Sequence, residues 1–149
     1  MRDYRKIEAW KKADDLTVSV YQVTREFPRE ERYGITSQIR RSAYSVPANI
    51  AEGSARQTKR EYLQFLYIAR GSLTETQYFV HLSNRLRYLK EPEFQELSEA
   101  IKLTFGNLHG LIKAVERESG KFTKAVALLF SAAVLCMSRL TISTSIPAT

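Results

Sequence analysis

The sequence predicts an all-α protein, an antiparallel up-and-down four-helix bundle followed by a poorly defined C-terminal tail. Four long segments repeat apolar residues every three or four positions, which places those residues on one face of a helix. No segment alternates apolar and polar residues in the way that a half-buried strand does. The connections between the four segments are short, and short connections favour antiparallel neighbours.

The first predicted helix covers residues 4–26. Pro28 follows it, and a proline disfavours the α-helical conformation of the residue before it, so the helix should end there. The apolar face of this helix carries Trp10, Ala13, Leu16 or Thr17, Val20, Val23 and Phe27.

The second predicted helix covers residues 33–55 and contains Pro47. A proline inside a helix removes one backbone hydrogen bond, so we expect a kink at this position. The residues around Pro47 are small, which would let neighbouring helices approach closely. The apolar face carries Ile35, Ile39, Ala43, Val46, Ile50 and Gly53.

The third predicted helix covers residues 58–89. Thr58 and Glu61 have the spacing of a capping box at its start. The spacing along its apolar face is heptad-like, which favours near-parallel packing against a neighbouring helix. That face carries Tyr62, Leu66, Ala69, Leu73, Thr76, Val80 and Ser83.

The fourth predicted helix covers residues 91–118. Pro92 suits a first helical turn, and Glu91 and Glu93 complement the partial positive charge of a helix N-terminus. The four helices together predict one domain, residues 1–118. The apolar face of the fourth carries Phe94, Leu97, Ile101, Phe105, Leu108, Ile112 and Val115.

Residues 119–149 form the predicted apolar tail, which has no clear helical period. We interpret it as disordered, loosely docked or a non-native extension. Its uncharged stretch, residues 125–138, is shorter than the roughly 18–20 apolar residues of a membrane span, so we expect no membrane association. Cys136 is the single cysteine, which excludes an intramolecular disulfide and fits the reducing cytoplasm.

The motifs of common enzyme classes are absent from the sequence. His81 and His109 have no second ligand at metal-binding spacing, and there is no glycine-rich phosphate loop. We therefore expect no enzymatic activity, no catalytic residue, no metal and no cofactor.

The formal net charge of +7 favours association with polyanions. Residues 33–60 carry five basic side chains against one acid, Glu52, and a second basic cluster ends the third helix. The alternative is that these charges are solvated or serve packing between subunits. The candidate nucleic-acid-binding residues are Arg40, Arg41, Arg56, Lys59, Arg60, Arg85 and Arg87.

Polar residues on the second and third helices predict a structural network. Such groups next to an apolar face need hydrogen-bond partners, and Arg41 or Arg70 could supply them and fix the register of the helices. The predicted members of the network are Asn49, Glu52, Ser72 and Glu75.

The run QIRRSAYSVPANIAEGSARQTKREYLQFLYIARGSLTETQ, together with IEAWKKA and FPREERYGI, resembles the intervening-sequence proteins. Members of this bacterial family are often encoded by insertions within large-subunit ribosomal RNA genes. The resemblance covers about residues 4–118 and stops near Ser119. The positions that match the family's recurring residues are Arg41, Asn49, Glu52, Gly53, Ser72 and Glu75.

The resemblance implies a four-helix bundle that assembles into a ring-shaped pentamer. The family is also similar to the accessory variability protein of diversity-generating retroelements, a basic pentameric barrel that binds nucleic acid and a reverse transcriptase. Apolar residues off the main helix faces, Tyr44, Tyr67, Ile68 and Phe79, independently favour a homo-oligomer.

These observations lead to one functional hypothesis and an alternative. The hypothesis is a non-enzymatic oligomeric scaffold whose basic surface binds RNA, DNA or a nucleoprotein partner such as a reverse transcriptase. The alternative is a structural protein–protein interaction module that binds no nucleic acid.

Overall fold

The computed structural model describes residues 2–142, with side chains through residue 118. Within the described residues the chain forms four α-helices and no strand, which confirms the predicted fold class. The helices are α1 (Glu8–Val23), α2 (Ile35–Ser54), α3 (Lys59–Arg85) and α4 (Glu91–Ile142), and short 3-10 helices, Tyr4–Lys6 and Arg29–Arg32, precede α1 and α2.

The fourth helix is longer than the sequence predicted, because its backbone continues past Glu118 to Ile142. Alanine and leucine are frequent in this stretch and no proline interrupts it before Pro147, so its helix propensity is high. The chain divides into two units, Met1–Val115 and Glu116–Thr149. The predicted tail thus includes the C-terminal part of α4, and residues 143–149 lie outside the described residues.

Hydrogen bonds between helices show that α2 runs antiparallel to α3. The Thr76 hydroxyl donates to Ser42 Oγ at 3.0 Å, and the Ser45 and Ser72 hydroxyls are 2.9 Å apart. Residue numbers therefore rise along one helix as they fall along the other.

The first helix is antiparallel to α2 for the same reason. Thr17 of α1 contacts the Ala43 carbonyl, and Arg40, one turn earlier on α2, contacts Thr24 just after α1. The Thr104 hydroxyl of α4 lies 3.3 Å from the Lys12 carbonyl of α1.

The predicted apolar faces meet in one core. Most of their residues are buried, and the partly buried ones that pack against the core are Trp10, Val23, Ile35, Phe94 and Phe105. Each helix contributes at least four fully or nearly fully buried side chains, so all four helices are part of the core. The innermost large side chains are Leu16, Val20, Ile39, Val46, Ile50, Tyr62, Leu66, Leu73, Leu97, Ile101, Leu108 and Ile112.

Pro47 is buried inside α2, which continues through it. Because a proline has no N–H, the Ala43 carbonyl one turn earlier loses its usual helical partner. The Thr17 hydroxyl of α1 lies 3.1 Å from this carbonyl and 2.8 Å from the Ala13 carbonyl of its own helix. A neighbouring helix thus supplies a donor where the proline removes one; the kink at Pro47 stays a prediction.

Gly53 lies where α2 closely approaches side chains of α3. A Cβ atom on Gly53 would lie 2.7 Å from Cβ of Phe65 and 2.9 Å from Cδ2 of Tyr62. Both distances are shorter than a carbon–carbon contact allows, so this position requires the absence of a side chain.

The third helix ends in a tight turn centred on Arg87. The Tyr88 N–H donates to the Ser83 carbonyl at 2.9 Å and the Arg87 N–H donates to the Asn84 carbonyl at 2.9 Å, the bonds of a Schellman motif. This motif requires a left-handed residue, and Arg87 has φ of 60°. The turn reverses the chain into α4.

Candidate nucleic-acid interface

The candidate basic residues other than Arg41 lie at two opposite ends of the bundle. α2 has 20 residues and is therefore about 30 Å long. We call the end formed by residues 24–40 and 85–90 the loop end, and the end formed by residues 54–60 the hairpin end. The basic segment 33–60, continuous in sequence, is thus divided in space between the two.

The loop end is held together by aromatic and polar contacts between its two segments. The rings of Phe27 and Tyr88 are 5.6 Å apart, and the Tyr88 hydroxyl donates to Glu31 Oε1 at 3.3 Å. Desolvation, and then the charge of Glu31, raise the pKa of the Tyr88 hydroxyl, so it remains a donor at neutral pH. Arg85 and Arg87 therefore share this end with Arg40.

The hairpin end presents Arg56, Lys59 and Arg60. Arg56, in the connection after α2, is fixed by an ion pair with Glu52 of that helix and by stacking over the Phe65 ring, with 4.6 Å to the ring centroid. Lys59 is half-buried and Arg60 is exposed. These three basic side chains therefore lie within one turn of the α2–α3 connection.

A capping box determines where α3 begins at this end. Thr58 Oγ1 accepts from the Glu61 N–H at 3.2 Å, and Glu61 Oε2 accepts from the Thr58 N–H at 3.2 Å. The hydrogen bond from the Thr58 side chain, followed by that from its backbone, lowers the pKa of Glu61. The predicted capping box is confirmed, and it orients the turn that carries Lys59 and Arg60.

The predicted polar network is only partly brought together. Asn49 Nδ2 donates to the Ser45 carbonyl at 2.7 Å and lies 3.0 Å from Ser45 Oγ, which in turn contacts Ser72. We call the hydroxyl contacts Ser42–Thr76 and Ser45–Ser72 the polar seam. Ser45 was not among the predicted members, although its hydroxyl joins two of them.

The two predicted acidic members lie apart from each other. Glu75 pairs with Arg41 across α2 and α3 at 3.2 Å, but both side chains are largely accessible to solvent. Glu52 is exposed and pairs with Arg56 near the hairpin end. A pair this exposed contributes little to stability, so the register of α2 on α3 depends on the polar seam instead.

Three further arginines at the loop end were not among the predicted binding residues. Arg25, Arg29 and Arg32 lie in the connection between α1 and α2, and together with Arg40 they line one cleft. Their local sequence is charge-balanced, so it does not stand out as a run of basic residues. The segment's acids are Glu26, Glu30 and Glu31.

The bundle itself is less basic than the whole chain. Three of the 23 basic residues follow Ser119, where the sequence has no acid, so the remaining 20 face all 16 acids. A basic surface on the bundle therefore depends on where its charges lie rather than on their excess.

The part of the chain that the structure describes offers little other chemistry. No cluster of three or more histidine, cysteine, aspartate or glutamate side chains there could hold a metal ion. His81 and His109 are both exposed. No helix in the same part is long and apolar enough to cross a membrane.

Comparison with known proteins identifies one family model and several solved structures. The family model described as 23S rRNA-intervening sequence protein matches residues 5–110. A crystal structure of a protein of unknown function from the S23 ribosomal protein family of Bacteroides thetaiotaomicron VPI-5482 is similar, with a TM-score of 0.65 and 24% identity. The alignment covers 70% of this chain and 98% of that one, and at this identity it shows the fold alone. No curated protein matches.

Proposed function

This chain belongs to the 23S rRNA-intervening sequence protein family, and from that premise we propose that it is a non-enzymatic oligomeric scaffold whose basic ends bind nucleic acid or a nucleoprotein partner. One observation carries the proposal. Arginines at both ends, including Arg60, Arg85 and Arg87, are exposed and form no ion pair among the described residues. Unpaired guanidinium groups of this kind suit phosphate oxygens.

The contacts would be made to the nucleic-acid backbone. Each neutralised phosphate releases condensed counterions, which gives affinity that depends on salt and not on sequence. Within Met1–Val115, neither end carries an α-helix or ribbon, apart from the four bundle helices, that could enter a groove and read bases. We therefore expect binding with weak sequence preference.

Self-assembly is the second part of the proposal. Tyr44, Tyr67 and Ile68 are exposed, with Ile68 51% accessible, so α2 and α3 present apolar surface that the bundle does not cover. Phe79 instead packs against the core and no longer supports this argument. A ring-shaped pentamer, as the family resemblance implies, would repeat each weak phosphate contact and increase avidity.

The partner is the one that the family resemblance implies, and the location is argued from the single cysteine. A reverse transcriptase or another nucleoprotein would bind the assembled scaffold together with its nucleic acid. We place the protein in the cytoplasm, where its single cysteine would stay reduced.

The alternative function is a structural interaction module without nucleic-acid binding. The observation that favours it is the same exposed apolar surface on α2 and α3, flanked by the accessible pair Arg41–Glu75. Charges of this type can set the orientation of subunits instead of contacting phosphate.

A binding assay separates the two functions. Single-stranded RNA and DNA are titrated with the full chain at two salt concentrations, and with a variant in which Arg56, Lys59 and Arg60 are all changed to Gln. We expect the parent to bind and the variant to bind more weakly, with the salt dependence reduced by about one unit of slope for each phosphate that is no longer neutralised.

The matched control removes the same charge from the flanks of the bundle. Lys11, Lys12 and Lys102 each lie near a carboxylate on their own helix, at 2.6, 4.0 and 3.9 Å. Changing these three to Gln should leave binding nearly unchanged. Failure of the parent to bind either nucleic acid at low salt would favour the structural module.

A further inference from the structure

An arginine-lined cleft opens at the loop end of the bundle, with a volume of about 590 Å³. We call it the arginine cleft. Its walls come from the connection between α1 and α2 and from the first two turns of α2. The side chains that matter for its chemistry are Arg25, Arg29, Arg32, Tyr33 and Arg40.

The positive charge of the arginine cleft is not neutralised from within. No carboxylate lines it among the described residues, and Arg25, Arg29 and Arg32 form no ion pair there. One acid of the wall segment, Glu31, is already engaged: Oε2 accepts from the Ile35 N–H at 3.0 Å and Oε1 from Tyr88. Four guanidinium groups that share one cleft favour an anion between them.

Arg40 is oriented before any ligand arrives. Its Nε donates to Thr24 Oγ1 at 2.7 Å, and its guanidinium group lies over the Tyr21 ring, 4.9 Å from the centroid. Thr24 is buried, and its own hydroxyl is fixed by the Val20 carbonyl at 2.7 Å. The terminal nitrogens of Arg40 remain as donors in a fixed plane, which is the geometry that phosphate oxygens accept.

Two further side chains complete the lining. Thr36 is only 7% exposed, and its hydroxyl has no hydrogen-bond partner among the described residues. The oxygen of this hydroxyl has almost no solvent-accessible surface, so Thr36 contributes wall area to the arginine cleft and no donor to a ligand. Tyr33 is 88% exposed at the rim, where its ring could stack on a flat aromatic group.

We propose that the arginine cleft binds a phosphate monoester, with the arginines on the phosphate and Tyr33 against an attached base. A monoester carries close to two negative charges at neutral pH, whereas an internal phosphodiester carries one, so four guanidinium groups favour the former. This ligand is either a free nucleotide or the phosphorylated end of a strand. The inference goes beyond general backbone binding, because it concerns one pocket and one terminal group.

Calorimetry on the full chain tests the pocket with a small ligand. Adenosine 5′-monophosphate and inorganic phosphate are each titrated into the protein. Adenosine is the control for the first and chloride is the control for the second. We expect the two phosphate compounds to bind and the other two not to. Changing Arg29 and Arg32 to Gln should weaken binding by roughly tenfold for each guanidinium group removed. The control that removes the same charge, Lys11 and Lys12 to Gln, should bind like the parent.

A second pair of probes distinguishes the two sources of the phosphate. One short RNA sequence is prepared with a 5′-phosphate and with a 5′-hydroxyl. Tighter binding of the phosphorylated RNA, abolished in the Arg29 and Arg32 variant, identifies a strand end. Equal RNA affinities together with nucleotide binding identify a free nucleotide, and both results support the pocket.

The results that overturn the inference differ from those that refute the proposed function. If the parent binds none of the phosphate monoesters, or if the Arg29 and Arg32 variant binds them as well as the parent, the arginine cleft is not a phosphate site. RNA binding that depends on Arg56, Lys59 and Arg60 could still hold in that case. Thermal unfolding of each variant confirms that it is folded.

Discussion

The contact between Thr17 and the Ala43 carbonyl should be coupled energetically to Pro47. We consider the change Thr17→Val, which keeps the shape of the side chain and removes its hydroxyl. The Ala13 carbonyl retains a partner in α1, because the Thr17 N–H lies one turn further along the helix. The Ala43 carbonyl has no such replacement, since Pro47 has no N–H.

The cost follows from this asymmetry. A buried carbonyl left without a partner costs about 1–3 kcal/mol, and Ala43 is fully buried. With Pro47→Ala in the background, residue 47 provides an N–H for that carbonyl, so Thr17→Val should cost about 1 kcal/mol less. Coupling energies of this size are typical of groups that share a partner.

The assay is urea unfolding of the parent, both single variants and the double variant. Thr74→Val serves as the control, because the Thr74 hydroxyl is exposed and donates within its own helix, to the Arg70 carbonyl at 3.1 Å. It should change stability little. The reasoning is refuted if the change in unfolding free energy of the double variant equals the sum of the two single changes to within about 0.3–0.5 kcal/mol.

Three further predictions concern the turns and the close helix contact. Gly53→Ala should destabilise the bundle by about 1–3 kcal/mol, because the added methyl group overpacks against Phe65 and Tyr62. Gly71→Ala is the control: no atom lies near the added Cβ, so this change should stabilise the bundle by about 1 kcal/mol. Urea unfolding of both variants measures the difference, and equal effects on stability would contradict the close approach at Gly53. Arg87→Gly should raise stability by about 1 kcal/mol, because glycine has no penalty at φ of 60°, while Arg85→Gly inside α3 should lower it. Thr58→Ala should reduce stability at neutral pH, and this reduction should shrink in acid. The lowered pKa of Glu61 means that its contribution is present above its ordinary value of 4.5 and is lost as the pH falls through the lower folded value. A reduction that is independent of pH would contradict the role of the Glu61 carboxylate.

The fold was predictable because its signals are local. The spacing of Leu66, Ala69 and Leu73 defines a buried face whatever the neighbours are, and all three are fully buried. The capping box at Thr58 and Glu61 was equally local, since its hydrogen bonds join residues three positions apart.

The candidate interface was less predictable because it depends on topology. Arg40 and Arg56 are 16 positions apart in a basic segment, yet a helix of about 30 Å separates their ends of the bundle. Arg29 does not stand out in the sequence because glutamates lie close to it. The fold places Arg29 with other arginines around a cleft, and only the path of the chain in space shows this grouping.

The polar seam has a consequence for how α3 can slide along α2. The apolar face of α3 repeats every seven residues, so a shift by one repeat, about 10 Å, would bring apolar side chains opposite apolar side chains again. The same shift would separate Thr76 from Ser42 and Ser45 from Ser72, although the Thr76 hydroxyl would keep the Ser72 carbonyl of its own helix, 2.9 Å away. The native alignment therefore gains two hydroxyl contacts between the helices, each worth about 1 kcal/mol, over the alternatives that the apolar pattern permits.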